Sequence, residues 1–178
     1  MSALYKPKFL FRAVLIALSL CLGHATVSAG EPQATPCTDR AECWPEGSSM
    51  HTGLLLVQRQ KSAEKTLELS HNELLKLVSS SRSTDGTYGT EMRLLQALKS
   101  QHTAWLKYRS EECELVGSLT GAGGTWPSTY ANQCEVNHTE QRIRRVRSAM
   151  RCIEKLPGSQ RLFEQNTCLQ QLAPLTNK

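Results

Sequence analysis

Six cysteines lie beyond residue 30: Cys37, Cys43, Cys113, Cys134, Cys152 and Cys168. In an exported chain an even set of thiols reads as a disulfide framework, here three bridges with about 15 possible connectivities. A metal site fits poorly, because no C-x-x-C pair occurs and the spacings are irregular. Whether that framework applies depends on the N-terminus. Lys6, Lys8 and Arg12 form a basic stretch, Ala13 to Leu22 is apolar but short for a bilayer span, and Val27-Ser28-Ala29 offers small residues at a cleavage site. Residues 1–29 therefore read as a signal peptide, with cleavage near Ala29 and a periplasmic or secreted product. The seventh cysteine, Cys21, leaves with that segment; lipidation at Cys21 is the competing reading.

Cleavage removes three positive charges and no negative ones, so the net charge falls from +5 to about +2. Bulk charge thus argues against a nucleic-acid partner. About 149 residues remain, enough for one domain with a core.

Residues 30–51 are rich in Pro, Thr, Ser and Gly and read as an irregular arm holding Cys37 and Cys43. From Thr52, the apolar residues Leu54, Leu55, Val57, Leu67, Leu74, Leu75 and Val78 recur at helical intervals. Lys61, Glu64, Lys65, Glu68, Glu73 and Lys76 are placed on the polar face of that helix. Ser79 to Gly89 reads as a loop, and Thr90 as the cap of a second helix reaching Leu119. Leu94, Leu98, Trp105 and Leu115 form its apolar stripe. A Gly-rich turn leads to a third helix from about Thr129 to Leu156, stopped by Pro157-Gly158, and a short fourth helix carries Cys168. No segment alternates with period two long enough for a strand. The expected fold is all-α: a small antiparallel bundle of long helices stapled by disulfides. The divisions are 52–156 for the main helical domain and 157–178 for a C-terminal extension.

Nothing here resembles an active site. His51, His71, His102 and His138 are scattered, and neither H-E-x-x-H nor G-x-S-x-G occurs. Glu111 and Glu112 are adjacent on a helix and point apart. Gly121 to Gly124 has no following Lys-Ser/Thr and no preceding strand, so it is not a phosphate loop. The expectation is a binding protein, not an enzyme, with no cofactor and no metal. Cys113 near the end of one helix and Cys134 near the start of the next suit a bridge across the Gly-rich turn. The other four pair either as Cys37–Cys43 with Cys152–Cys168 or crosswise between the chain ends. Arg144, Arg147 and Arg151 share a helix face, which is either simply solvated or a contact for an anionic envelope surface.

The run Trp105-Leu106-Lys107-Tyr108-Arg109-Ser110-Glu111-Glu112-Cys113, then Gly123-Gly124-Thr125, Tyr130, Cys134 and Thr139-x-x-Arg142, resembles the LprI-type lysozyme-inhibitor family. The resemblance runs from about Leu94 to Val146, and more weakly over Leu67 to Leu77. Its signature residues here are Trp105, Tyr108, Arg109, Cys113, Gly123, Gly124, Cys134, Thr139 and Arg142. Ser110 stands where that family usually has Asp, and His102 where it has Gln. The resemblance implies an exported inhibitor that occludes a muramidase non-covalently, with lysozyme or another cell-wall hydrolase as partner. The alternatives are a periplasmic immunity protein against a delivered toxin and an envelope structural or stress protein. Trp105, Arg109 and Cys113 are one turn apart, so Arg109 is expected to stack on Trp105 or reach carbonyls of the Gly-rich loop. Trp126 and Tyr130 are the candidate binding anchors on that loop.

Overall fold

The computed structural model describes residues 38–80 and 88–173. The expected signal peptide with Cys21, the residue Cys37 and residues 81–87 of the expected Ser79–Gly89 loop lie outside the described residues, while the ends of that loop belong to α1 and α2. Four helices follow a short 3₁₀ turn at Ala41–Cys43: α1 (Ser49–Ser80), α2 (Tyr88–Leu119), α3 (Trp126–Glu154) and α4 (Gly158–Leu169), with a final 3₁₀ turn at Gln170–Leu172. No strand occurs among the described residues. The helices begin and end somewhat differently from the sequence reading. Thr90 lies inside α2, which starts at Tyr88, and α3 starts at Trp126, so Trp126 and Tyr130 belong to a helix and not to the loop. Pro127 explains the early start, since a first-turn proline needs no hydrogen-bond acceptor for its nitrogen.

The central element is α3. Both α1 and α2 pack along it while touching each other little, and α4 with the last turn covers its C-terminal half. On α1 the buried positions are Leu56, Ala63, Leu67, Ser70, His71, Leu74 and Val78, a stripe of threes, fours and sevens. Leu55 is exposed at 46%, outside that stripe, and Leu115 on α2 is likewise exposed at 57%. Apolar packing is concentrated at one end. Leu67, Leu74 and Val78 meet Leu98, Val146, Ala149 and Ile153, closed by Cys168, Leu169 and Leu172.

The opposite end packs through small residues. A Cβ on Gly117 would lie 2.5 Å from the Pro127 carbonyl oxygen and 3.1 Å from the Ala131 Cβ, so α2 and α3 approach too closely there for any side chain. Next to this contact Cys113 bonds to Cys134, with Cα atoms 5.4 Å apart. Cys152 bonds to Cys168 and holds α4 to α3, and Cys43 is also disulfide-bonded. Substituting Gly117→Ala should destabilise the oxidised protein by about 1–3 kcal/mol, because the clash is with backbone. Urea unfolding midpoints would register this; an unchanged midpoint would mean the helices separate without cost.

Candidate functional site

Trp105 is half-buried on α2 and carries a guanidinium on each of two approaches. Arg109 lies 5.6 Å and Arg142 5.4 Å from its ring centre. Arg109, buried at 6% exposure, does not reach the Gly-rich loop. It donates to Thr139 Oγ1 at 2.7 Å and to Glu64 Oε1 at 2.7 Å, with Glu135 at 3.9 Å. Thr139 in turn donates to the Glu135 carbonyl at 2.7 Å, and Gln60 donates to the Glu135 carboxylate. Side chains from α1, α2 and α3 thus converge on one buried cation. Glu64 lies on the polar face of α1 as the sequence implies and stays partly exposed, yet its carboxylate also accepts from Arg109 across the groove between α1 and α2.

Beside this cluster His71 of α1 stacks on His102 of α2, with ring centres 4.0 Å apart and planes 12° from parallel. The pair lines a groove of about 660 Å³ between α1 and α2, whose walls include Lys61, Glu64, Lys65 and Glu68. Burial, then the neighbouring His102, Arg142 and Lys99, push the pKa of His71 down to about 4. Burial, then Arg142 and Arg109, lower that of His102, against a smaller opposing effect of Glu68. The sequence marks His102 as a departure from the family pattern but does not show that it meets His71, because their meeting depends on the register of two helices.

At the other end α2 closes with Thr120, whose hydroxyl donates to the Gly117 carbonyl at 2.8 Å. Gly121 and Gly124 take left-handed backbone angles, φ 60° and φ 64°, that favour glycine. The loop is tied down at its far side: Ser49 Oγ and Thr125 Oγ1 are 2.5 Å apart, and Thr129 Oγ1 donates to the Ser49 carbonyl at 3.1 Å. Trp126 and Tyr130 sit just beyond it with ring centres 6.0 Å apart, 37% and 47% exposed. Leu119 at 75% and Leu115 at 57% are exposed on the last turns of α2.

The signature residues therefore divide. Trp105, Arg109, Cys113, Thr139 and Arg142 are interior, while Tyr108, Gly123 and Gly124 are exposed. Arg144, Arg147 and Arg151 are exposed on α3. The Sγ atoms of Cys113 and Cys134 lie near His138 in a metal-like cluster, but the sulfurs are bonded to each other and offer no thiolates.

These features define an all-α, disulfide-stapled domain with a locked polar interior and a firmly held glycine turn at one end. Over residues 43–146 the chain matches the family model described as lysozyme inhibitor LprI. More than half of the chain is covered, and the protein belongs to that family. Comparison with curated proteins and with solved structures returns no match. No described helix is long and apolar enough to cross a membrane.

Replacing Arg109 with Met should cost about 3–5 kcal/mol, since Glu64 and Glu135 lose their cation and Thr139 a donor. Glu64→Gln should cost less, because that carboxylate is 41% exposed. Urea unfolding at neutral pH gives both values, and equal costs would contradict the account. His71 sets a second expectation. The unfolded chain takes up a proton near pH 6.5, whereas the folded chain resists until about pH 4. Stability from this group is thus undiminished above pH 6.5 and falls as pH drops toward 4, by up to about 3 kcal/mol. A His71→Phe variant should show a shallower decline across that window.

Proposed function

We propose that this protein is an exported inhibitor of a muramidase, acting by non-covalent occlusion of the substrate cleft with the glycine-turn end of the bundle. The observation that carries the reading is the pairing of exposed Trp126 and Tyr130 beside a loop fixed by a disulfide and by hydroxyl contacts to α1. Rigid aromatic anchors lose little conformational entropy on binding, and a fixed loop loses less than a free one. Charge supports the same end. The N-termini of α1 and α3 lie side by side there, and neither has an acidic residue in its first turn. Their partial positive charge suits the pair of carboxylates that glycoside hydrolases use.

The arginine face argues for the same choice by exclusion. Many lysozymes are cationic, so Arg144, Arg147 and Arg151 would repel them. Residue 147 is 17 residues along α3 from Tyr130, about 26 Å at the helical rise. The two surfaces are far enough apart for one to bind a cationic enzyme while the other stays in solvent or meets an anionic envelope surface. Cleavage of the signal peptide near Ala29 and release into the periplasm or medium complete the reading.

A turbidity assay with lysozyme and oxidised protein from Gly30 onward tests it. Inhibition is expected, and Trp126→Ala and Tyr130→Ala should each weaken it by about tenfold or more. Folded protein that leaves several lysozyme types fully active would refute the inhibitor reading. Inhibition untouched by both substitutions would move the site elsewhere.

A further inference from the structure

The two arginines on Trp105 are not equivalent. Arg109 and Arg142 are buried to 6% and 2% exposure. Arg109 has Glu64 and Glu135 as counter-ions. Arg142 donates to the Leu172 carbonyl at 2.8 Å and to the Gln101 side-chain carbonyl; the Nε of each arginine is buried without a partner. Among the described residues no carboxylate pairs with it. Its pKa is lowered to about 10, first by burial and then by the neighbouring Arg145. Buried charges are ordinarily paired, since desolvating a lone ion is costly. Two adjacent guanidiniums without a carboxylate are an arrangement that an anion would complete.

Arg142 and Arg145 line a cavity of about 460 Å³ between α2, α3 and the final turn, a volume in the range of small-molecule sites. Its wall also holds Trp105, an exposed Tyr108 and Gln141. Gln101 is already committed, donating to Leu172 O at 3.3 Å while accepting from Arg142. At the rim Glu112 faces His138 at 3.9 Å and pairs with neither arginine.

We propose that this cavity binds a carboxylate-bearing saccharide, the carboxylate meeting Arg142 and Arg145 and a sugar face lying against Tyr108. Planar guanidinium groups suit a carboxylate. An inorganic anion would leave the aromatic wall unused, and a purely apolar acid would cover Gln141 without satisfying its amide. The site shares no residue with the glycine-turn end, so it stands or falls independently of the inhibitor reading.

Isothermal titration of the oxidised chain from Gly30 with N-acetylmuramic acid tests it, with N-acetylglucosamine, acetate and phosphate as comparators. The acidic sugar should bind at least about tenfold more tightly than any comparator. Arg145→Gln, at a half-buried position outside the Arg142 hydrogen bonds, should weaken it by about tenfold with an unchanged unfolding midpoint. Tyr108→Ala should also weaken it. The proposal is overturned if the acidic sugar does not bind, if the neutral sugar binds equally, if acetate or phosphate binds equally, or if Arg145→Gln has no effect.

Discussion

The bundle turns on one buried cation. Arg109 is where α1, α2 and α3 make polar contact together, through Glu64, Thr139 and Glu135. Ion pairs of this kind add little net stability compared with well-packed apolar residues, because desolvation offsets most of the attraction. What they do is penalise wrong arrangements. Shifting α1 along α3 by one turn would strand Glu64 and leave Arg109 under-paired, so the cluster sets a register that leucines alone would leave loose. Direct contact between α1 and α2 is slight, which makes this link the more important.

Around that cation the molecule is graded from end to end. Beyond it, toward α4, lie Leu67, Leu74, Val146 and Ile153, and cohesion is apolar. Toward the glycine turn, cohesion comes from close approach at Gly117, the Cys113–Cys134 bridge and hydroxyls on Ser49, Thr125 and Thr129. An end built this way needs no bulky interior side chains. Its aromatics, Trp126 and Tyr130, are free to face outward.

Much of this was legible in the sequence, and the rest had physical reasons for being hidden. Long helices follow from spacing, and the absence of strands among the described residues from the lack of period-two runs. The positions of Leu55 and Leu115 were misread because hydrophobicity alone does not say which face a neighbouring helix covers. Glu64 belongs to the polar face as its position implies, but its pairing is hidden because it depends on a residue 45 positions away on another helix. Gly117 gave no warning, since a glycine inside a helical pattern does not reveal what it approaches. Stacking of Arg109 on Trp105 was readable from their one-turn spacing, but the partners of its nitrogens were not.

The two arginines near the Trp105 indole sit in two kinds of site. Arg109 already has two carboxylates, Glu64 and Glu135, so it has little to gain from an anion. Arg142, among the described residues, is held by neutral acceptors, Leu172 O and Gln101 Oε1. Neutral acceptors satisfy hydrogen bonds without cancelling charge, and the low polarity around a buried guanidinium makes that difference costly. A fold needing Arg142 only to anchor the final turn could have used a neutral donor at less cost. Keeping the charge there is best understood if a negative partner beyond the described residues meets it.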